Sequence, residues 1–545
     1  MSLEEQISDR LQKLYPGHDA RLLFERCVST LGSPRKASSR GRWSEKDALL
    51  ICYPDQVVTG GDSPLATLST ILDELRDGFS LVHILPFFPS SSDGGFAVTD
   101  HTEVAQELGT WEDIGLIATD NRVMADLVLN HVSSSHRWME EFSRGLEPGS
   151  RCLKVASPDD DLSMVVRPRT SELLVETETD VGVKYLWCTF GSDQVDVNWS
   201  EPEVLIEMLS AVERMLDAGV RWIRLDAVAY AQKVVGTDCI HLEETHELVR
   251  LLRDLLARNC PDAILVTETN VPHEENLSYL RDGEQAHVAY NFTLAPLLSF
   301  SLLFGSSKEL ANWLRQAEQA PNGTTLINFL ASHDGIGLRP VEDILNPADF
   351  RALIQATTEA GGTWSGRVNG EQVQPYELNV APASLFGLDR LLTGHTLLAS
   401  LSGVPAYYLP AIEGEANDLE AVSREGHNRA INRPKQTVDS RAERLVGPAK
   451  NSRDELIRRL SLRQRISAFH PESRQTVLDL ENPLLGIVRG DGPTSVTVIT
   501  NLGFHDVEYD VSEPSFDLLS ERMLYGELSV SPGEILWLST TAIKS

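Results

Sequence analysis

The stretch Val123-Met-Ala-Asp-Leu-Val-Leu-Asn-His131 sets the reading of the chain. Its first half is apolar at every position except Asp126, too continuously for a strand with one solvated face, and it closes on the polar pair Asn130-His131. Seven other runs share this character: Ala48–Tyr53, Leu81–Leu85, Trp222–Asp226, Ile264–Glu268, Val288–Phe292, Leu326–Ser332 and Val404–Leu409. Segments of helical period lie between them, among them Leu65–Arg76, Pro202–Ala218, Glu243–Arg258 and Leu385–Leu401. Buried strands alternating with helices mean parallel strands covered on the outside. Eight such units predict an α/β fold, a (β/α)8 TIM barrel whose chemistry sits in the loops after the strands.

Two connections exceed a simple loop, and the spacing predicts insertions after strands 3 and 7. Residues 132–199 form a B-type subdomain in this reading. Residues 335–384, with Gly361, Gly362, Gly366 and Gly370, form a mobile loop. The catalytic barrel then spans 46–131 and 200–470, its last helix at Ser452–Phe469. Residues 1–45 read as a helical extension with an apolar stripe of Leu11, Leu14, Leu22, Leu23 and Cys27, followed by the polar, basic stretch Ser33–Arg42. Residues 471–545 turn strand-like at Ser495–Ile499, Val507–Val511 and Ile535–Leu538, which predicts a C-terminal antiparallel β domain.

The 545 residues carry 48 Lys+Arg against 80 Asp+Glu, a formal charge of −32. That balance excludes nucleic acid and anionic membrane surfaces as partners, since both need clustered cations. No apolar run is long enough to cross a membrane, and Met1–Leu14 lacks the apolar core of a signal peptide. The six cysteines (27, 52, 152, 188, 239 and 260) are scattered without metal-binding spacing. Buried thiols in a reducing cytoplasm are the expectation. No dense acidic loop of calcium-binding spacing and no phosphate-cradling glycine loop occurs, so neither a metal nor a cofactor is expected.

The apolar runs end in polar clusters: Asp126 with Asn130-His131, Arg224-Leu-Asp226, Thr267-Glu268 and His333-Asp334. A carboxylate at the end of a buried strand is costly unless it is paired or used. Three carboxylates with two histidines and an arginine at one end of a barrel suit the cleavage of a sugar acetal. That reaction needs an acid for the leaving oxygen and a carboxylate for the oxocarbenium-like centre. Arg224, two residues from Asp226 on the same strand, shares its face and holds it ionised, as a nucleophile requires.

These segments resemble the four signature regions of the α-amylase superfamily, glycoside hydrolase family 13, in order and separation. The resemblance implies Asp226 as nucleophile, Glu268 as acid/base and Asp334 as transition-state stabiliser, with His131 and His333 bonding the sugar. Leu85-Pro-Phe-Phe88, Ser92-Asp-Gly-Gly-Phe96, Thr99-Asp-His101, Gly236-Thr-Asp-Cys239, Ser332-His-Asp-Gly-Ile-Gly337 and Asn428-Arg-Ala-Ile-Asn-Arg433 resemble the sucrose-phosphorylase-like branch. By that likeness Asp93 and Arg429 clamp the donor glucose and close the site to longer chains. Phe96 is a platform under the sugar, and Phe190 and Gln194 line the acceptor side.

Arg167-Pro-Arg169 resembles a branch segment whose second arginine binds phosphate, which assigns that role to Arg169. Tyr376, with Glu377 beside it, resembles the loop residues that join it. The branch therefore implies inorganic phosphate as co-substrate, a covalent glucosyl-enzyme and retention; a homodimer is common in it. The acceptor residues depart from the sucrose-specific enzymes: Asn270 replaces a histidine, and Gly337-Leu-Arg-Pro340 and Pro375-Tyr-Glu-Leu-Asn379 read differently. They are similar to those of the glucosylglycerate-using phosphorylases. Phosphorolysis of sucrose, sucrose 6'-phosphate or glucosylglycerol, and glucoside hydrolysis, stay as alternatives. An anionic acceptor needs a cation, for which Arg169 comes first, with Arg339 and Arg367 behind it and unranked.

Overall fold

The computed structural model describes residues 1–37, 41–369 and 372–540. Eight parallel strands close a barrel: β1 (Leu49–Cys52), β2 (Leu81–Ile84), β3 (Arg122–Val128), β4 (Trp222–Asp226), β5 (Ile264–Thr267), β6 (Val288–Tyr290), β7 (Thr325–Phe329) and β8 (Val404–Tyr408). Each pairs with its neighbours in sequence, and β8 returns to β1 through Leu49↔Ala406 and Leu50↔Tyr407. The eight apolar runs are these strands. Every residue of β1, β2, β4, β5 and β8 is buried, which is why none of them alternates. Register does the rest: Asp126 lies beside Arg224, Val128 beside Asp226 and Arg224 beside Val266. The polar strand ends thereby meet at the C-terminal mouth.

Pro202–Asp217 and Glu243–Asn259 are long amphipathic helices on the outside of the barrel. Two helices of the N-terminal extension, Leu3–Leu14 and Ala20–Thr30, pack on this pair. Arg10 bonds Asp254 at 2.6 Å and Glu247 at 3.1 Å, and Arg26 grips Glu203 at 2.9 and 2.8 Å. The helix expected at Leu385–Leu401 is two, Pro382–Phe386 and Leu388–Ser400. Gly387 divides them at φ 70° and ψ 164°, a conformation no helix accommodates. The helix expected at Ser452–Phe469 runs instead from Gly447 to Arg463, started by Pro448 in its first turn.

The C-terminal sheet has six antiparallel strands, in the order Gln475–Val477, Leu484–Arg489, Val496–Asn501, Ile535–Ser539, Val507–Asp517 and Arg522–Val530. It is fixed to the barrel by a buried guanidinium and a buried indole. Arg489 donates to the carbonyls of Ser400 and His470, each at 2.8 Å, and the Trp537 indole N–H donates to the Ser400 hydroxyl at 2.9 Å.

The segment expected as a mobile loop is built of regular structure. It holds the helix Pro347–Glu359 and a hairpin of Thr363–Asn369 with Gln372–Asn379, whose second strand also pairs with Ile336-Gly337. Its glycines serve tight junctions: Gly361 leaves the helix at φ 79°, and Gly366 sits at a register shift. Gly370 lies outside the described residues. In the other insertion, His131–Ser133 pairs with Gln194–Asp196 and Leu174–Thr177 with Lys184–Trp187.

All six cysteines are buried and unpaired. Among the described residues no helix is long and apolar enough to cross a membrane, and no cluster of His, Cys, Asp or Glu is arranged to hold a metal ion.

The first insertion is tied to the barrel by Lys233. Its ammonium, fully buried, contacts Asp196 at 2.7 Å and donates to Asn130 Oδ1 at 2.6 Å. Asp196 also accepts from the backbone and hydroxyl of Thr189. Removing the cation strands a buried carboxylate, so Lys233→Met should cost about 3–5 kcal/mol of stability. Urea denaturation followed by circular dichroism checks this; a midpoint equal to that of the parent chain would refute it.

Candidate active site

Arg224 organises the mouth. One Nη1 donates to Asp226 Oδ1 at 2.8 Å and to Asp126 Oδ1. Asp126 is held on its other side by His83 Nε2 at 2.8 Å, and His83 Nδ1 faces the Tyr290 hydroxyl at 3.3 Å. The rings of Phe96 and Tyr290 flank the guanidinium at 5.8 and 5.5 Å. Directly after Asp226 the chain turns at Ala227, whose φ of 50° is left-handed and strained for a residue with a Cβ. That turn aims the Ala227 N–H at Glu268 Oε2, 3.0 Å away, and Arg224 Nη2 lies 3.9 Å from the same oxygen. Both carboxyls thus stand within reach of one guanidinium.

Asp334 faces them from the end of β7. Arg429 Nη1 meets its Oδ1 at 2.6 Å, and Arg433 Nη2 lies 3.4 Å from that oxygen. The two other edges of Arg429 are taken by Glu377, at 3.0 and 2.6 Å. Arg429 therefore joins Asp334 to the hairpin strand Gln372–Asn379. The cation nearer Asp93 is Arg433, at 3.8 Å; Gln194, expected on the acceptor side, instead donates through Nε2 to Asp93 at 3.1 Å and approaches His131 Nε2 at 3.0 Å. Asp93 has a positive φ of 53°, and a Cβ on Gly94 would collide with the Arg433 guanidinium, so this tight loop requires its glycine. Phe96 stacks on His333, with centroids 5.1 Å apart and planes within 8°. Neither ring nitrogen of His333 has a hydrogen-bond partner among the described residues, and both are buried. Burial keeps His131 and His333 neutral, and Arg433 reinforces this for His333. A neutral imidazole at a hydroxyl-rich ligand can both donate and accept.

On the opposite side the Phe190 ring lies 5.5 Å from His131 and 5.5 Å from Tyr230. Arg169 sits between Phe190 and Tyr376, 5.5 and 5.6 Å from the two rings. Its only hydrogen bond is to the neighbouring Pro168 carbonyl, and among the described residues it has no carboxylate partner. Arg367 is bidentate to Glu342, at 2.9 and 2.8 Å. Asn270 lines the hollow with a buried, unpartnered Oδ1. Glu377, expected on the acceptor side, lines the hollow too, but its carboxylate is occupied by Arg429.

Protonation follows from the charges. Burial pushes Asp226 and Glu268 above the usual carboxylate range, and Arg224 opposes it in each. The two titrate as a pair. Arg224 bonds Asp226 directly at 2.8 Å but stays 3.9 Å from Glu268, so the cation opposes burial at the closer range for Asp226. Burial works against Asp334 as well, yet Arg429 and Arg433 hold it below its ordinary value. His83 and Arg224 similarly overcome burial at Asp126 and bring it to about 2. The carboxylates of the mouth are thereby distinguished by their surroundings.

His83, Tyr290, Tyr230, Lys233 and Arg433 act in this site without having been singled out as site residues. His83 and Tyr290 lie inside apolar runs, where a polar residue facing the barrel interior was the available signal. Lys233 carries no motif.

The catalytic-domain model of the α-amylase family matches residues 59–336. The chain is 38% identical to the glucosylglycerate phosphorylase of Allomeiothermus silvanus, over 96% of this chain and 97% of that one. It is 33% identical to the glucosylglycerate phosphorylase of Escherichia coli, over 98% and 100%. Among solved structures, sucrose 6F-phosphate phosphorylase from Thermoanaerobacter thermosaccharolyticum superimposes with a TM-score of 0.76 at 22% identity, covering 90% of this chain and 99% of that one.

Acid help from Glu268 is dispensable only when the leaving group needs no proton. Glu268→Gln should lower cleavage of an ordinary glucoside by about 10²–10⁴-fold yet leave glucosyl fluoride as a working donor. Asp226→Asn should lose both. Because the Glu268 carboxyl is raised, the parent enzyme keeps its acid protonated further up the pH scale than an ordinary carboxyl allows, and the rate falls as pH climbs through that value. With the fluoride and Glu268→Gln this alkaline fall should vanish; its persistence would assign the limb to another group.

Proposed function

The chain belongs to the α-amylase family, and from that premise we propose that it is a retaining glucosyl phosphorylase. In this reading it converts 2-O-α-glucosyl-glycerate and phosphate to α-glucose 1-phosphate and glycerate. The observation that carries phosphorolysis is Arg169, the pocket-lining guanidinium with no carboxylate partner among the described residues. In a chain of net charge −32 an uncommitted cation beside the acid/base is a place for an anion. The choice of glycerate is supported by likeness over almost the full chain to two enzymes named for glucosylglycerate.

The chemistry runs in two balanced halves. Asp226 attacks the anomeric carbon while Glu268 gives its proton to the departing glycerate oxygen, leaving a β-glucosyl ester on Asp226. Phosphate then occupies the vacated side against Arg169 and the Tyr376 hydroxyl. Glu268, now a carboxylate, takes the phosphate proton as a phosphate oxygen attacks the same carbon and Asp226 departs. Two inversions give net retention. Asp334, fixed by Arg429 and Arg433, bonds sugar hydroxyls and balances the positive charge that develops on the ring. Asp93, Gln194, His131 and His333 hold the remaining hydroxyls over the Phe96 ring.

Two measurements test the reading. Glucose 1-phosphate should form from glucosylglycerate only when phosphate is supplied; free glucose at an equal rate without phosphate would make the protein a hydrolase. With glucose 1-phosphate as donor, glycerate should outperform fructose, fructose 6-phosphate and glycerol as acceptor, and a preference for fructose would shift the reading to sucrose. Arg169→Ala, which removes a charge-assisted contact, should raise the KM for phosphate by about 10- to 100-fold.

A further inference from the structure

We propose that Arg339, two residues beyond the close approach of Gly337 to Asn270, reads the carboxylate of the acceptor, whereas Arg169 serves phosphate. This rests on the phosphorolytic reading above and deepens it. The glucosyl-enzyme meets two different anions in turn. Phosphate carries its charge on the very group that attacks. Glycerate attacks through a hydroxyl and carries its charge on a neighbouring carbon, so it needs a cation placed further from the anomeric centre.

Three arginines besides Arg169 come into question, and they differ in their contacts. Arg367 is committed to both oxygens of Glu342. Arg167 belongs to the first insertion, where its Nε and Nη2 are buried without a hydrogen-bond partner among the described residues and Glu172 is its charged influence. Arg339 makes one loose contact, 3.5 Å from Glu275 Oε2, and that oxygen is shared with His241 Nε2 at 3.3 Å. The Arg339 side chain is only 15% exposed. Its charge acts with that of Arg169 on Tyr230, a residue that lines the hollow.

Gly337 supplies the second observation. A Cβ there would come within 2.5 Å of Asn270 Oδ1 and 2.6 Å of its Nδ2, closer than side chains tolerate. Only glycine lets the strand Ile336–Gly337 lie against the Asn270 amide, and Arg339 follows two residues on. Asn270 Oδ1 is buried and unpartnered, so the amide is placed but not satisfied by the protein. A guanidinium beside an amide suits a carboxylate next to a hydroxyl: the guanidinium takes the charge, and the amide a hydroxyl or one carboxylate oxygen.

The test compares two acceptors of the same glucosyl-enzyme. With glucose 1-phosphate as donor, transfer to glycerate is measured beside exchange of labelled inorganic phosphate into glucose 1-phosphate. In Arg339→Gln the ratio of kcat/KM for glycerate to that for phosphate exchange should fall about tenfold or more, and Arg339→Lys should restore part of it. Gly337→Ala keeps every charge and should lower the same ratio by displacing Asn270, which keeps the proposal testable if Arg339→Gln does not fold. An unchanged ratio in either variant, or equal loss in the Gln and Lys variants, would overturn the proposal. A parent enzyme that exchanges phosphate yet transfers nothing to glycerate would instead overturn the assignment of the acceptor.

Discussion

A single guanidinium, that of Arg224, is shared between Asp126 and Asp226 at the C-terminal mouth of the barrel. Two carboxylates on adjacent parallel strands repel each other in a medium of low polarisability, and neither strand could bury its end alone. Register places the arginine directly beside Asp126 and two residues before Asp226, so one cation settles both. Removing it would leave uncompensated charge at a cost of about 3–5 kcal/mol, the magnitude of a broken buried pair. The same contact decides the chemistry. It pairs Asp226 directly and leaves Glu268 3.9 Å from the same cation, so the two carboxyls differ in their surroundings before any sugar enters.

The remaining charges are arranged around that pair. Arg429 spans Asp334 and Glu377, and Arg433 stands between Asp334 and Asp93. Neither cation is free, since each faces two carboxylates. This confines the uncommitted positive charge lining the pocket to Arg169, on the side away from the sugar clamp. Glu377 has a clear task in this scheme. By occupying two edges of Arg429 it withdraws that cation from any incoming anion and anchors the hairpin that carries Tyr376. Donor recognition and anion recognition are thus separated by pairing rather than by distance.

What the sequence revealed was whatever a strand must declare. The barrel was legible because both faces of each strand are buried, so the runs are apolar throughout. The carboxylates of the mouth were legible because they interrupt those runs at their ends. Interactions closed by tertiary contact were not. Glu377 and Arg429 lie 52 residues apart, Lys233 and Asn130 lie 103 apart, and Arg433 approaches Asp93 from the far end of the barrel. Nothing local marks such pairs. The hairpin was hidden for a related reason: its strands are half exposed and interrupted by Gly366 and Pro375, which read as loop signals until the pairing partner is seen. The same holds for the edge strand Arg522–Val530, exposed at most positions and broken by Gly526 at φ 77°.

An overall charge of −32 creates a further demand. The long-range field of such a protein disfavours the approach of phosphate and of a carboxylate alike, so encounter is not steered and affinity depends on contacts made after arrival. This favours arginine over lysine at position 169. An ammonium would be strongly hydrated and drawn to the surrounding carboxylates. A planar guanidinium between the rings of Phe190 and Tyr376 is held by its faces and keeps its N–H edges for the ligand. The aromatic pair therefore does for Arg169 what a carboxylate does for the other arginines of the site, fixing the side chain without spending its charge, and an acidic protein can in this way keep an anion site open in the midst of its own carboxylates.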